Sequence, residues 1–178
     1  MPSTAPLETA RLLLRPPMPE DAPIMFERYA SDPEVTRYLG WPRHKSVEDT
    51  QAFVDFSQFE WARTSLGPLL VFARDSGRLL GSSGLLLETP NRAQTGYVFA
   101  RDAWGYGYAT EALGAMVSLA AGYGITRLYA LCHTEHQASW RVLEKCGFTR
   151  EGILEAHTTF PNLSPRPLDV FSYARTLV

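Results

Sequence analysis

Two glycines one residue apart, Gly105 and Gly107, stand just before an apolar segment of helical spacing, and they constrain this chain more than any other feature. The run 95–100 before them is β-prone, and the segment from Ala109 onward repeats apolar residues at helical intervals. Glycine lets a backbone pass close to a ligand, and the N–H groups at a helix start attract anions. The pattern predicts a strand, a tight turn and a helix that bind a diphosphate.

Two common phosphate-binding loops do not fit this segment. A P-loop needs Lys followed by Ser or Thr after its last glycine, whereas Tyr108 and Ala109 follow Gly107 here. A dinucleotide-binding loop needs a third glycine near the place where Thr110 stands, and it belongs to a strand–helix–strand unit that this N-terminus lacks.

The nine residues 104–112 resemble the acyl-coenzyme A loop of the GCN5-related N-acetyltransferase (GNAT) superfamily, in the form found in the RimJ/RimL-type branch, which acetylates N-termini of ribosomal proteins. Residues 136–148 are similar to the branch's helix beside the pantetheine and thiol, and residues 8–16 and 169–175 match its first and last strands. The resemblance implies transfer of an acetyl group from acetyl-coenzyme A to a primary amine, by direct attack in a ternary complex. It favours a protein or peptide N-terminus as the acceptor. A small-molecule amine, or a weakly catalytic acyl-coenzyme A-binding module, remains an alternative.

The expected fold class is α+β, with a single N-acetyltransferase domain over residues 1–178. The residue patterns give the order strand, two helices, three strands, helix, strand, helix and two strands, which indicates one mixed sheet of about six to seven strands and about four helices. The resemblance adds that the sheet is mostly antiparallel and that its two central strands splay apart. Residues 1–7 are expected to be a flexible N-terminal extension.

The resemblance also assigns residues to the coenzyme. It implies that the strand at 98–100 supplies a backbone N–H to the oxyanion, that the loop binds the pyrophosphate, and that the helix after 136 flanks the thiol. The expected coenzyme-binding residues are Val98, Phe99, Ala100, Trp104, Gly105, Tyr106, Gly107, Tyr108, Ala109, Thr110, His136, Ser139 and Lys145.

Two residues concern the proton that the departing thiolate needs. Leu143 stands where many members of the superfamily carry the Tyr that gives this proton, and a Ser matching Ser139 takes that role in the ribosomal branch. Ser139 is therefore the candidate acid, although a hydroxyl in a helix's first turn can also be an ordinary cap. His136 replaces the Asn that usually contacts the pantetheine.

The general base is harder to place. Neither Thr158 nor Thr159 offers the Glu that the ribosomal branch carries in this region. His157 and Glu88 remain as catalytic candidates, His157 because its ordinary pKa lies near the working range and Glu88 if burial raises its pKa. His44, in a polar loop, and His133, at a strand end, are weaker candidates.

The acceptor walls implied by the resemblance are the loop after the first helix and the last strand pair. The substrate-binding candidates are Tyr38 and Trp41 on one side and Phe160 and Asn162 on the other. Aromatic walls with few charges suit a peptide N-terminus or a mostly apolar amine, whereas a polyamine or aminoglycoside needs several acids.

Composition limits the remaining partners. A net charge of −2 gives no basic face for nucleic acid, and no apolar run approaches the roughly 20 residues of a membrane helix. The first ten residues lack a signal pattern, so a cytoplasmic protein is expected, with Cys132 and Cys146 as free thiols. The four histidines show no metal-binding spacing, so no metal is expected. A homodimer is left open.

Overall fold

The computed structural model describes residues 6–178, and one eight-stranded sheet runs through all of it. The strands are β1 (Leu7–Glu8), β2 (Leu12–Arg15), β3 (Pro68–Ala73), β4 (Leu79–Thr89), β5 (Arg92–Phe99), β6 (Arg127–His133), β7 (Thr149–Thr159) and β8 (Pro167–Thr176). The helices are α1 (Ala22–Met25), which continues as a π-turn over Phe26–Ala30, α2 (Val47–Thr64), α3 (Tyr108–Gly122) and α4 (Gln137–Lys145).

The sheet has the order β1-β2-β3-β4-β5-β6-β8-β7, and every neighbouring pair is antiparallel except β5 and β6. This parallel pair joins at only three positions, which end at Gln94 and Tyr129. Beyond them the two strands diverge and leave a wedge-shaped opening, which we call the gap. The mixed sheet and the splayed central strands confirm the expected fold.

The strand count exceeds the expected six to seven because a short strand lies at the N-terminal edge. Leu7 in β1 pairs with Leu14 in β2, so this residue does not belong to a free extension. Of the rest of the expected extension, Pro6 is exposed and outside any strand, and residues 1–5 lie outside the described part of the chain. β1 has only two residues, too few to show the alternation by which strands are recognised in a sequence.

The helices cover both faces of the sheet. In β3, Leu69 and Val71 pack in the core that contains α3, whereas Leu70 packs on the opposite face with α1 and α2. This alternation is the period-two pattern of a strand that is buried on both faces. Met116 of α3 is fully buried, and burial of such a side chain stabilises the fold by about 1.5–3 kcal/mol. The gap therefore opens between two well-packed layers.

Local signals set where the long helices begin. Ser46 caps α2, because its hydroxyl accepts the backbone N–H of Asp49 at 3.4 Å. α3 begins directly after Gly107, which has a φ of 78° in the left-handed region that favours glycine. No side chain caps this second helix start.

Candidate active site

The loop before α3 leaves backbone N–H groups open to a ligand. Gly105 and Gly107 both have left-handed φ values, 81° and 78°, and an added Cβ at Gly105 would meet no heavy atom within 4 Å. The N–H groups of Tyr108, Ala109 and Thr110 lie in the first turn of α3, where a helix has no carbonyl partners for them. The arrangement fits an anion such as a pyrophosphate at the helix end.

Hydrogen bonds from side chains hold the loop in place. The indole N–H of Trp104 donates to the carbonyl of Phe99 at 2.8 Å, which fixes the start of the loop against the end of β5. Arg11, between β1 and β2, donates from Nη1 to the carbonyl of Tyr106 at 2.8 Å. The same guanidinium pairs with Glu111 in the first turn of α3 at 2.7 Å. Sequence reasoning missed this pair because a hundred residues separate its members.

The edge of β5 that faces the gap offers two backbone N–H groups. Ala100 donates its N–H to Leu80 of β4 at 2.8 Å. Along an antiparallel pair, residues point alternately toward and away from the partner strand, so Val98 also bonds β4 while Tyr97 and Phe99 face the gap. Of the expected stretch 98–100, only Phe99 can therefore present its amide to a ligand in the gap.

A hydrogen bond from β5 to α4 crosses the open end of the gap. The hydroxyl of Tyr97 donates to the backbone carbonyl of Ser139 at 2.7 Å and lies 3.2 Å from the Ser139 hydroxyl. Burial raises the pKa of Tyr97 well above its ordinary value, so the phenol stays protonated. Leu143, one turn further along α4, is buried and apolar. Ser139 thus has the place beside the gap that its assigned role requires.

A cavity of about 700 Å³ reaches from Ser139 and the gap to the segment before α2. Its aromatic walls include three of the four predicted acceptor residues, Tyr38, Trp41 and Phe160, together with Phe53 and Phe56 of α2.

One carboxylate, that of Asp49, lies among the residues lining this cavity. Its oxygen already accepts the backbone N–H of Lys45 at 2.8 Å. The lining of the cavity is therefore mostly apolar, and this hydrogen bond lowers the pKa of its one carboxylate, which stays ionised.

Asn162, the fourth predicted acceptor residue, has a different role. Its amide nitrogen donates to the carbonyls of Thr36 and Trp41 at 2.8 and 3.0 Å, and its oxygen accepts the N–H of Arg43 at 2.9 Å. The side chain does not line the cavity, because these three backbone contacts occupy it. Asn162 joins the two walls of the acceptor side instead of contacting the acceptor.

The two predicted bases do not reach the cavity. Glu88 bonds the Tyr129 hydroxyl and pairs with Arg92 at 3.1 Å, beside the paired end of β5 and β6, where the gap is closed. His157 is exposed, and the next residue of β7, Thr158, lines the cavity in its place. His157 lies in the irregular stretch of β7 between Leu154 and Thr158, and its Nδ1 lies 3.4 Å from the Thr158 hydroxyl.

Three other histidines lie at or beside the cavity. His133 and His136 pack on Tyr38, with ring centroids 4.9 and 4.7 Å away. The Nδ1 atom of His133 accepts the N–H of Glu135 at 3.1 Å, so its proton resides on Nε2 when the ring is neutral. The third, His44, lies beside Trp41, and its Nδ1 is 2.8 Å from the Thr50 hydroxyl.

Burial keeps these imidazoles unprotonated at neutral pH. It lowers the pKa of His44 and His133, and burial together with the nearby His133 lowers the pKa of His136 to about 4. His44 and His133 ranked low from sequence because their loop and strand-end positions gave no sign of burial. His136 was expected beside the coenzyme and lines the cavity.

Lys145, the remaining predicted coenzyme residue, does not line the cavity. Lys145 is exposed in the last turn of α4. Cys132 and Cys146 are free and buried, and burial raises the pKa of both thiols.

Within residues 6–178 no group of three or more potential ligands could hold a metal ion. Over the same range, none of the helices combines the length and hydropathy needed to cross a membrane.

Comparison with known proteins gives this geometry a context. The family described as Acetyltransferase (GNAT) domain matches residues 11–149. The uncharacterized N-acetyltransferase YoaA of Bacillus subtilis (strain 168) is 32% identical over 180 residues, which cover 95% of this chain and 96% of YoaA.

Solved structures share the fold over nearly the whole chain. A GNAT-family acetyltransferase from Bacillus anthracis has a TM-score of 0.84 and 26% identity, covering 97% of this chain and 98% of that one. RimL, a ribosomal L7/L12 α-N-protein acetyltransferase in complex with coenzyme A, has a TM-score of 0.87 and 23% identity, with the same two coverages.

Proposed function

Since this chain belongs to the GNAT acetyltransferase family, and is thus an acyltransferase that uses acetyl-coenzyme A, we propose that its acceptor is the α-amine of a protein or peptide N-terminus. The observation that carries this proposal is the acceptor cavity, which has aromatic walls and a single carboxylate already bonded to a backbone N–H. A polyamine brings several positive charges that need partners when they leave water. A peptide N-terminus brings one charge, which it must lose before it reacts.

The residues around the gap have separate roles in this proposal. The amides of Tyr108 to Thr110 hold the pyrophosphate, and the gap-facing N–H groups of Tyr97 and Phe99 are aimed where the thioester oxygen gains negative charge. The thioester of acetyl-coenzyme A supplies the acyl group. Ser139 lies beside the gap and donates its proton toward the departing sulfur.

In this reaction the protein donates one proton to the departing sulfur and accepts one from the attacking nitrogen. The new C–N bond forms as the C–S bond breaks, and the sulfur leaves with the electron pair and takes the proton of Ser139, which water replaces. The nitrogen loses a proton as it becomes an amide. His136 is our candidate for its acceptor, because its imidazole lines the cavity and belongs to the same helix turn as Ser139.

A thiol-release assay with a panel of amines tests the acceptor. Short peptides with free N-termini are compared with the same peptides blocked by N-acetylation, and with spermidine, free amino acids and an aminoglycoside. We expect kcat/KM for the best free peptide to exceed that for spermidine at least tenfold, and the blocked peptides to give background rates.

Two other results would each change the conclusion. Faster reaction of a small amine than of every peptide would reassign the acceptor but keep the enzyme class. Coenzyme binding without thiol release above hydrolysis, for any amine, would favour the binding-module alternative.

A further inference from the structure

Tyr97 and Ser139 face each other from opposite sides of the gap. Tyr97 belongs to β5, whereas Ser139 lies in α4, which follows β6 on the other side. The two strands are paired only as far as Gln94, so at the level of Tyr97 no backbone bond joins them. The contact from the Tyr97 hydroxyl to Ser139 spans this interruption.

The geometry fixes how the two hydroxyls share their protons. Tyr97 has one proton, and its 2.7 Å contact with the backbone carbonyl of Ser139 is the shorter of the two. At 3.2 Å from the Ser139 hydroxyl, the phenol oxygen is then the acceptor and the serine the donor. The Ser139 hydrogen consequently has a defined resting direction, and one side chain fixes both the first turn of α4 and the hydroxyl on it.

We propose that Tyr97 is a positioning residue for the proton-transfer step, because its hydroxyl sets the place and direction of the Ser139 hydroxyl relative to the gap. The proposal rests on the assigned role of Ser139 as proton donor. The backbone N–H of Tyr97 faces the gap as well, so one residue connects the oxyanion side of the reacting carbonyl to its leaving-group side. Leu143, which is buried and apolar, supplies no hydroxyl for either task.

Turnover in a double-mutant cycle tests the proposal. Tyr97→Phe removes the hydroxyl and keeps the ring, and we expect kcat to fall about tenfold while the KM for acetyl-coenzyme A stays within about twofold. Ser139→Ala should lower kcat by about a hundredfold. The double variant should be slower than Ser139→Ala alone by much less than tenfold, because most of the effect of Tyr97 passes through the hydroxyl that is already gone.

Tyr129→Phe is the matched control. It removes a tyrosine hydroxyl from the other strand of the same pair, at the closed end beside Glu88, and should leave kcat unchanged. Rates are measured with the best acceptor of the panel and with water alone, since thiol release requires the same proton in both cases. Melting temperatures of all variants show whether any loss of rate reflects unfolding.

The outcomes separate the two hypotheses. Losses that multiply in the double variant, or an unchanged kcat in folded Tyr97→Phe, overturn the positioning role and leave the acid role of Ser139 intact. Full activity of Ser139→Ala overturns both roles. None of these results bears on which amine is the acceptor, because the amine panel with the wild-type protein decides that question.

Discussion

Arg11 and Glu111 connect the start of the chain to the coenzyme loop through two bonds to one carboxylate. The guanidinium Nε lies 2.7 Å from Oε2, and the backbone N–H of Arg11 lies 2.8 Å from Oε1. Thr9 adds its hydroxyl at 2.6 Å. Because the same guanidinium donates to the carbonyl of Tyr106, the pair fixes both the loop and the first turn of the helix that follows it.

Glu111→Gln is expected to weaken coenzyme A binding about fivefold in calorimetry, because one charged anchor of the loop is lost. Partial burial raises the pKa of Glu111. Hydrogen bonds from Thr9 and Arg11, together with the charge of Arg11, lower this pKa by more than burial raises it, so the net shift is downward. The carboxylate's contribution to stability is therefore complete above its ordinary pKa of 4.5 and is lost as pH falls through the lowered folded value.

The melting-temperature difference between wild type and Glu111→Gln should thus be constant above pH 4.5 and shrink below it. Glu151→Gln removes a comparable pair with Arg127, 2.6 Å apart on strands remote from the loop, and serves as the control. Equal loss of coenzyme affinity in both variants would refute the anchoring role of Glu111.

Gly107→Val is expected to weaken coenzyme A binding at least tenfold, about 1.4 kcal/mol, since a branched side chain stands at a left-handed φ of 78° where the backbone meets the ligand. Gly124→Val, at a φ of 75° beyond the end of α3, places the same strain in open space. Calorimetry should show reduced affinity in the first variant only, with similar losses in melting temperature. Unchanged affinity of a folded Gly107→Val protein would remove the pyrophosphate assignment.

Asn162→Ala should raise the KM of the amine acceptor about tenfold and leave coenzyme affinity unchanged, because its three backbone contacts hold the acceptor walls together. Asn162→Asp should be at least as harmful, since a carboxylate would face the two carbonyls that the amide now donates to. Asn91→Ala, in the exposed turn between β4 and β5, is the control. Normal acceptor kinetics of Asn162→Asp would exclude the proposed clamp.

His136→Asn is expected to lower kcat about a hundredfold, because the unprotonated imidazole is our candidate for the proton acceptor. His157→Asn should keep full activity, since its side chain is exposed outside the cavity. Thiol release under saturating acetyl-coenzyme A gives both values. A kcat near that of wild type for His136→Asn would leave the role to His44 or to water.

The same His136 predicts how stability depends on pH. Because the folded pKa is lowered to about 4 from 6.5, wild-type stability should be complete above pH 6.5 and decline as pH falls toward 4, where the unfolded chain binds a proton that the buried ring does not. Melting temperatures of His136→Asn should decline less over this interval. Parallel curves for the two proteins would show that the ring is more accessible than its packing on Tyr38 indicates.

The turn before α3 and the start of that helix could be predicted from the sequence because their signals are local. A left-handed turn at Gly107 and a helix directly after it depend on a few neighbouring residues, and the structure shows both. The long helix capped by Ser46 follows the same rule. The short β1 was missed because strand pairing at two residues leaves no periodic pattern.

The acceptor half depends on contacts across the chain, which no local pattern encodes. His157 and Glu88 were plausible bases by residue type, but an irregular stretch of β7 leaves His157 exposed, and Glu88 lies at the closed end of the gap. Asn162 was expected to contact the acceptor, but its amide bonds Thr36 and Trp41, which lie more than a hundred positions away in the chain. Side-chain direction decided these cases.

The three-position contact between β5 and β6 also has a mechanical consequence. The sheet consists of two parts that are joined only by this short pairing, and beyond it the backbone groups of Tyr97 and Phe99 have no strand to bond. A ligand bound there takes the place of the missing strand and connects the two parts. Occupancy should therefore slow hydrogen exchange on both β5 and β6, so that the enzyme is most rigid while it is loaded and loosens as product leaves.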